Sequence, residues 1–107
     1  MAEPGTAEAF FTEGTRLLQD GYLPEALEQL QYAATLDNGA HFAVTYNVAI
    51  AYFANGQADA ALEQAKWFID NHTRGTPGRE RMLEMYYWIR EGTAEPLSSI
   101  QEDLAGI

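Results

Sequence analysis

Cysteine is missing from this 107-residue chain. That excludes disulfides, thiolate metal sites and cysteine nucleophiles, and leaves the redox compartment open. Positive charge is scarce: 6 Lys and Arg stand against 16 Asp and Glu, a formal net charge of −10. A balance of that sign argues against nucleic acid and anionic membrane surfaces as partners. No apolar run approaches the roughly 20 residues that a membrane-spanning helix needs, so no membrane insertion is expected. The opening MAEPGTAEAF has neither a basic nor an apolar segment, so no Sec signal is expected there and the cytoplasm is the expected location.

Chemistry-bearing residues are equally thin. His41 and His72 are the only histidines, far apart and without a third ligand at metal spacing, so no metal is expected. Asp70, His72 and Thr73 are neighbours at a helix end and cannot converge on a substrate as a triad. Asn71-His72-Thr73 is a glycosylation sequon, without meaning in a cytoplasmic chain. Glycines stand singly at turns rather than in a phosphate-cradling loop, so no nucleotide cofactor is expected. Glu25 and Glu28 fall on an exposed helical face, where charge serves solubility. The sequence thus predicts neither an enzyme nor a cofactor.

What is present is 47% apolar residues, an ordinary globular composition in a chain long enough for one domain. Tyr46–Asp70 reads as two amphipathic helices parted at Asn55-Gly56-Gln57. Val48, Ala49, Tyr52 and Phe53 form one apolar stripe; Ala58, Ala61, Leu62, Ala65, Phe68 and Ile69 form the next. Neither stripe can be buried alone, so the two helices pack as a hairpin. The pattern has an upstream copy in Thr6–Leu36, with Gly21 as the break and Pro24 opening its second helix. A weaker copy runs from Met82 to Leu104 around Gly92. Gly21, Gly56 and Gly92 are 35 and 36 positions apart, and a two-helix unit at such a period marks a helical solenoid.

On these residues the chain resembles the tetratricopeptide repeat family, whose units of about 34 residues place small residues at the eighth, twentieth and twenty-seventh positions. Gly14, Ala26 and Ala33 meet them in the first unit, about residues 6–38. Ala49 and Ala61 meet two in the second, about 40–73, where Phe68 replaces the third. In the last unit, about 76–105, Met85, Leu97 and Leu104 depart from the pattern, making it a degenerate repeat or cap. The resemblance implies an all-α, right-handed solenoid of about six antiparallel helices forming a single domain. Helix starts are expected at Thr6, Pro24, Ala40 or His41, Ala58, and Thr76-Pro77. A short sixth helix is expected from Ala94 or Pro96 to about Leu104.

The family resemblance also implies a concave groove lined by the first helix of each unit. It places there Phe11, Thr15 and Leu18, then Tyr46, Asn47, Ile50 and Phe53, then Arg79, Met82, Tyr86 and Ile89 with Arg90 nearby. Several of these aromatics could equally pack between helices. Tyr86, Tyr87 and Trp88 cannot all face one core, since successive residues lie about 100° apart around a helix. Family members that clamp a terminal carboxylate use paired bases; here only Asn47 and Arg79 match, with Phe11, Thr15 and Leu83 at the other places. The groove therefore suits an apolar or mixed protein segment. In size, acidity and groove character the chain resembles small members of this family that act as secretion chaperones, an analogy at the level of fold. Two functions are expected from this reading. One is an adaptor or chaperone binding a protein segment in the groove. The other is a homo-oligomeric scaffold associating through Tyr87, Trp88, Leu97 and Ile100.

Overall fold

The computed structural model describes residues 3–104. Five α-helices account for most of them, and no strand occurs among the described residues. They are α1 (Ala7–Gln19), α2 (Leu23–Asp37), α3 (Phe42–Ala54), α4 (Ala58–Asn71) and α5 (Arg79–Glu91). The expected all-helical chain is what is seen, but the count is five rather than six.

Local chemistry explains most of the boundaries. Thr6 caps α1, its Oγ1 accepting from the Ala9 N–H at 3.1 Å, which satisfies one of the orphan donors of a helix start. Pro24 sits in the first turn of α2, where its missing N–H costs nothing. Asp37, at the end of α2, turns its buried carboxylate onto the next helix. It accepts from the His41 N–H at 2.8 Å and pairs with the His41 ring.

Two expectations fail at the far end. Thr76 and Pro77 do not begin α5. Arg79 N–H donates to Thr76 O at 3.1 Å, closing a turn in which Pro77 is followed by left-handed Gly78 (φ 86°, ψ −15°). Proline then a positive-φ glycine is the pattern of a type II turn, and the helix starts only after it. The sixth helix is also absent; Glu95–Ser98 forms one short 3-10 turn, η1. Pro96 removes a donor there, and the serines bond locally instead of to a helical ladder. Ser98 Oγ donates to Glu95 O at 2.7 Å and Ser99 Oγ to Pro96 O at 2.9 Å.

Packing follows chain order. α1 pairs with α2 and α3 with α4 as hairpins; α2 packs on α3, and α4 on α5. α3 is the centre: its residues from Phe42 to Ala51 are all buried, as expected for a helix apolar nearly all round. The small residues sit where backbones approach. A Cβ on Gly14 would lie 2.7 Å from Leu30 Cγ and 3.1 Å from its main-chain nitrogen. Ala26, Ala33, Ala49 and Ala61 are each fully buried. Asn55 ties the two hairpins together, its Nδ2 donating to Leu23 O at 2.9 Å and to Ala51 O at 2.7 Å.

At the start of α3, Phe42 anchors an aromatic group. Its ring lies 4.9 Å from Tyr46 and 5.8 Å from Phe68, and Phe68 in turn stacks on His72 at 3.9 Å. Such pairs add about 0.5–1.5 kcal/mol each beyond the area they bury. Gly78 closes over Phe42 from the α5 side, which fixes where α5 begins relative to α3.

Candidate functional site

α1, α3 and α5 share one side of the molecule, where α3 touches both of the others, and η1 lies against α3 and α5. The sequence-predicted groove residues are on these helices, and most are covered. Phe11, Leu18, Tyr46, Ile50, Met82 and Ile89 are buried in the core. Phe53, Tyr86 and Trp88 pack on that core half-buried. Arg90 is exposed, its guanidinium 5.8 Å from the Tyr86 ring centre. Arg79 serves α4 instead: its Nε donates to Ile69 O at 3.1 Å and His72 O at 2.9 Å. Those carbonyls belong to the end of α4, which has no partners of its own for them and favours a cation.

The polar exceptions in this apolar face are the informative residues. Asn47 is fully buried. Its Nδ2 donates to Thr15 Oγ1 at 3.0 Å on α1 and to Gln101 O at 2.8 Å. Its Oδ1 accepts from the Gln101 main-chain N–H at 2.9 Å. The carboxamide therefore meets both main-chain groups of one residue, as a neighbouring strand would. Tyr46 precedes it in α3, and the Tyr46 hydroxyl donates to Ser99 Oγ at 2.8 Å. Ser99 passes the chain of bonds on to Pro96 O. Burial pushes the Tyr46 phenol above its ordinary value; the hydrogen bond to Ser99 opposes that shift in part. A buried polar group costs free energy unless paired, and among the described residues no buried side-chain nitrogen or oxygen lacks a partner.

The segment that supplies those partners, residues 96–101, is expected from sequence to lie in a helix and instead forms the turn η1 and an irregular stretch. Pro96 and Gln101 are buried, Ile100 packs on the core, and Gln101 Nε2 donates to Ser99 O at 2.8 Å. Ser99 and Gln101 are thus site residues that the sequence reading missed. Two signals pointed to them: Pro96 followed by paired serines argues against a helix, and an asparagine inside an apolar helix demands a partner. Of the residues considered for self-association, Tyr87 and Leu97 are exposed, at 50% and 43%, whereas Trp88 and Ile100 pack inward.

The opposite side carries a second, more polar surface. Two adjoining depressions of about 300 and 280 Å³ run between α2 and α4 over Thr45, Val48 and Tyr52. Gln31 and Gln64 line them, with Trp67, which is 46% exposed, at one end. Gln31 Nε2 donates to the Tyr52 hydroxyl across this trough at 2.9 Å. No helix among the described residues is long and apolar enough to cross a membrane. Comparisons with protein-family models, with curated proteins and with solved structures yield no match for this chain.

Proposed function

We propose that this chain is an interaction module that holds a peptide or protein segment on its α1–α3–α5 face, acting as an adaptor or small chaperone. The architecture we assign is a short tetratricopeptide-repeat-like stack, with the two hairpins as repeats and α5 with η1 as a cap. The observation that carries the reading is the pairing of Asn47 with the main chain of Gln101. A carboxamide that grips N–H and C=O together recognises a backbone whatever side chain it bears, and the apolar residues around it supply the burial. Tyr46 and Thr15 give the same face a polar setting for one hydroxyl-bearing residue and for Asn47 itself.

Random peptides selected against the full chain, then titrated into isotopically labelled protein, test this. Bound peptides should shift the amides of Thr15, Tyr46 and Asn47 and the Asn47 side-chain NH2, leaving α2 unmoved. Peptides that perturb only the Gln31, Gln64 and Trp67 side would overturn the assignment of the face.

A further inference from the structure

We infer that Pro96–Gln101 is a built-in occupant of the α1–α3–α5 face, and that the partner is a segment of the same chemistry: proline, two free positions, serine or threonine, an aliphatic residue, then a residue other than proline. The inference rests on the peptide-binding reading above and adds what regulates that site. Inward and outward residues are sorted along the segment as in a bound ligand. Pro96 and Gln101 are buried and Ile100 packs on the core, while Leu97, Ser98, Glu102 and Asp103 face out. Its hold on α3 runs through Tyr46 to Ser99 and Asn47 to Gln101, side chain to hydroxyl and side chain to main chain. None of these bonds needs this particular segment. Another peptide carrying an acceptor hydroxyl and a free N–H two residues later would replace them one for one and leave no buried polar atom unpaired.

The attachment suits exchange. α5 stops at Gly92, in the left-handed conformation (φ 75°, ψ 23°), with the Thr93 N–H folded back on Trp88 O at 3.1 Å. Beyond that stop the only regular structure is the single turn η1, which runs into the docked residues themselves, so the segment can leave without unwinding a long helix. A short tether gives it an effective concentration in the millimolar range. A free peptide of equal intrinsic affinity must overcome that competitor, and the face is closed to weak ligands until it does.

The test uses the full chain and a fluorescein-labelled synthetic peptide with the sequence of residues 94–104. Two variants weaken the internal occupant. Gln101→Pro deletes the N–H that Asn47 accepts; Ile100→Asp puts a charge on the core-facing position. Circular dichroism checks that both keep their helix content. Fluorescence anisotropy should show at least about tenfold tighter binding to the variants than to the unaltered chain, a difference of 1.4 kcal/mol. Adding Asn47→Ala to either variant should abolish it. Equal affinity for unaltered and variant chains, still dependent on Asn47, would overturn the built-in occupant while keeping the peptide-binding face. Failure of both helical variants to bind the peptide would overturn the face as well.

Discussion

Gly78 offers the sharpest quantitative test of how α5 is set against α3. Replacing it with alanine brings two separable penalties. The first is conformational: its φ of 86° lies in the left-handed region, which costs a residue with a Cβ roughly 1–2 kcal/mol. The second is steric. An ideal Cβ at 78 would stand 2.3 Å from Phe42 Cδ1, 2.5 Å from Cγ and 3.0 Å from Cβ. Those are the Cβ and near ring atoms of a side chain pinned between Tyr46 and Phe68, so it cannot swing away freely, and overpacking of this kind costs about 1–3 kcal/mol. Together Gly78→Ala should lose about 3 kcal/mol, a large part of the roughly 5–15 kcal/mol that stabilises a domain. Gly56→Ala is the control. Gly56 has φ of 79° with nothing within 4 Å of an added Cβ, so it incurs the first penalty alone, roughly 1–2 kcal/mol. Urea unfolding followed by circular dichroism reads both, with an unchanged slope certifying that only stability moved. In a Phe42→Leu background the excess cost of Gly78→Ala should shrink, since the two sites share one contact. Equal losses for Gly78→Ala and Gly56→Ala would refute the clash and leave the placement of α5 unexplained by Phe42.

Tyr46→Phe should cost about 1 kcal/mol near neutrality, the net worth of one hydrogen bond, here the one to Ser99. Because burial raises the Tyr46 phenol, the fold favours its neutral form. That contribution is whole below the ordinary phenol value near 10 and is lost as pH rises through the higher folded value. The unaltered chain should therefore lose stability more steeply than Tyr46→Phe above pH of about 10, and parallel urea midpoints through that range would contradict it. Arg79→Met keeps the aliphatic stem and strips the donors from Ile69 O and His72 O. Since Arg79 is half-buried, we expect a loss of about 1–2 kcal/mol. Amide exchange should quicken at the end of α4 and not in α1; uniform exchange throughout would show that Arg79 does not secure that helix end.

Much of the helical frame was legible in the residues themselves. Apolar stripes at helical spacing located α1 to α4, and Gly21 and Gly56, both left-handed in the structure, marked the turns between them. Gly14 was read as a small residue at a helix contact, and it abuts Leu30. These features depend on residues close in the chain or on a repeated local pattern, and periodicity reports such information directly. The Thr76-Pro77 start was misread because proline opens turns as well as helices, and Gly78 chose the turn. Residues 94–104 were misread because Leu97 and Leu104 mimic a stripe, whereas Pro96 and two serines undo it.

Sequence alone located α1 to α4 and paired them as hairpins. Tertiary structure decided what covers the α1–α3–α5 face. Asn47 and Gln101 are 54 residues apart, and no local signal says that one amide will find the other. A stripe reveals which side of a helix avoids water, since burial is non-directional and scales with area. Which chain segment provides that burial depends on hydrogen bonds of fixed geometry, and these exist only once both partners are in place.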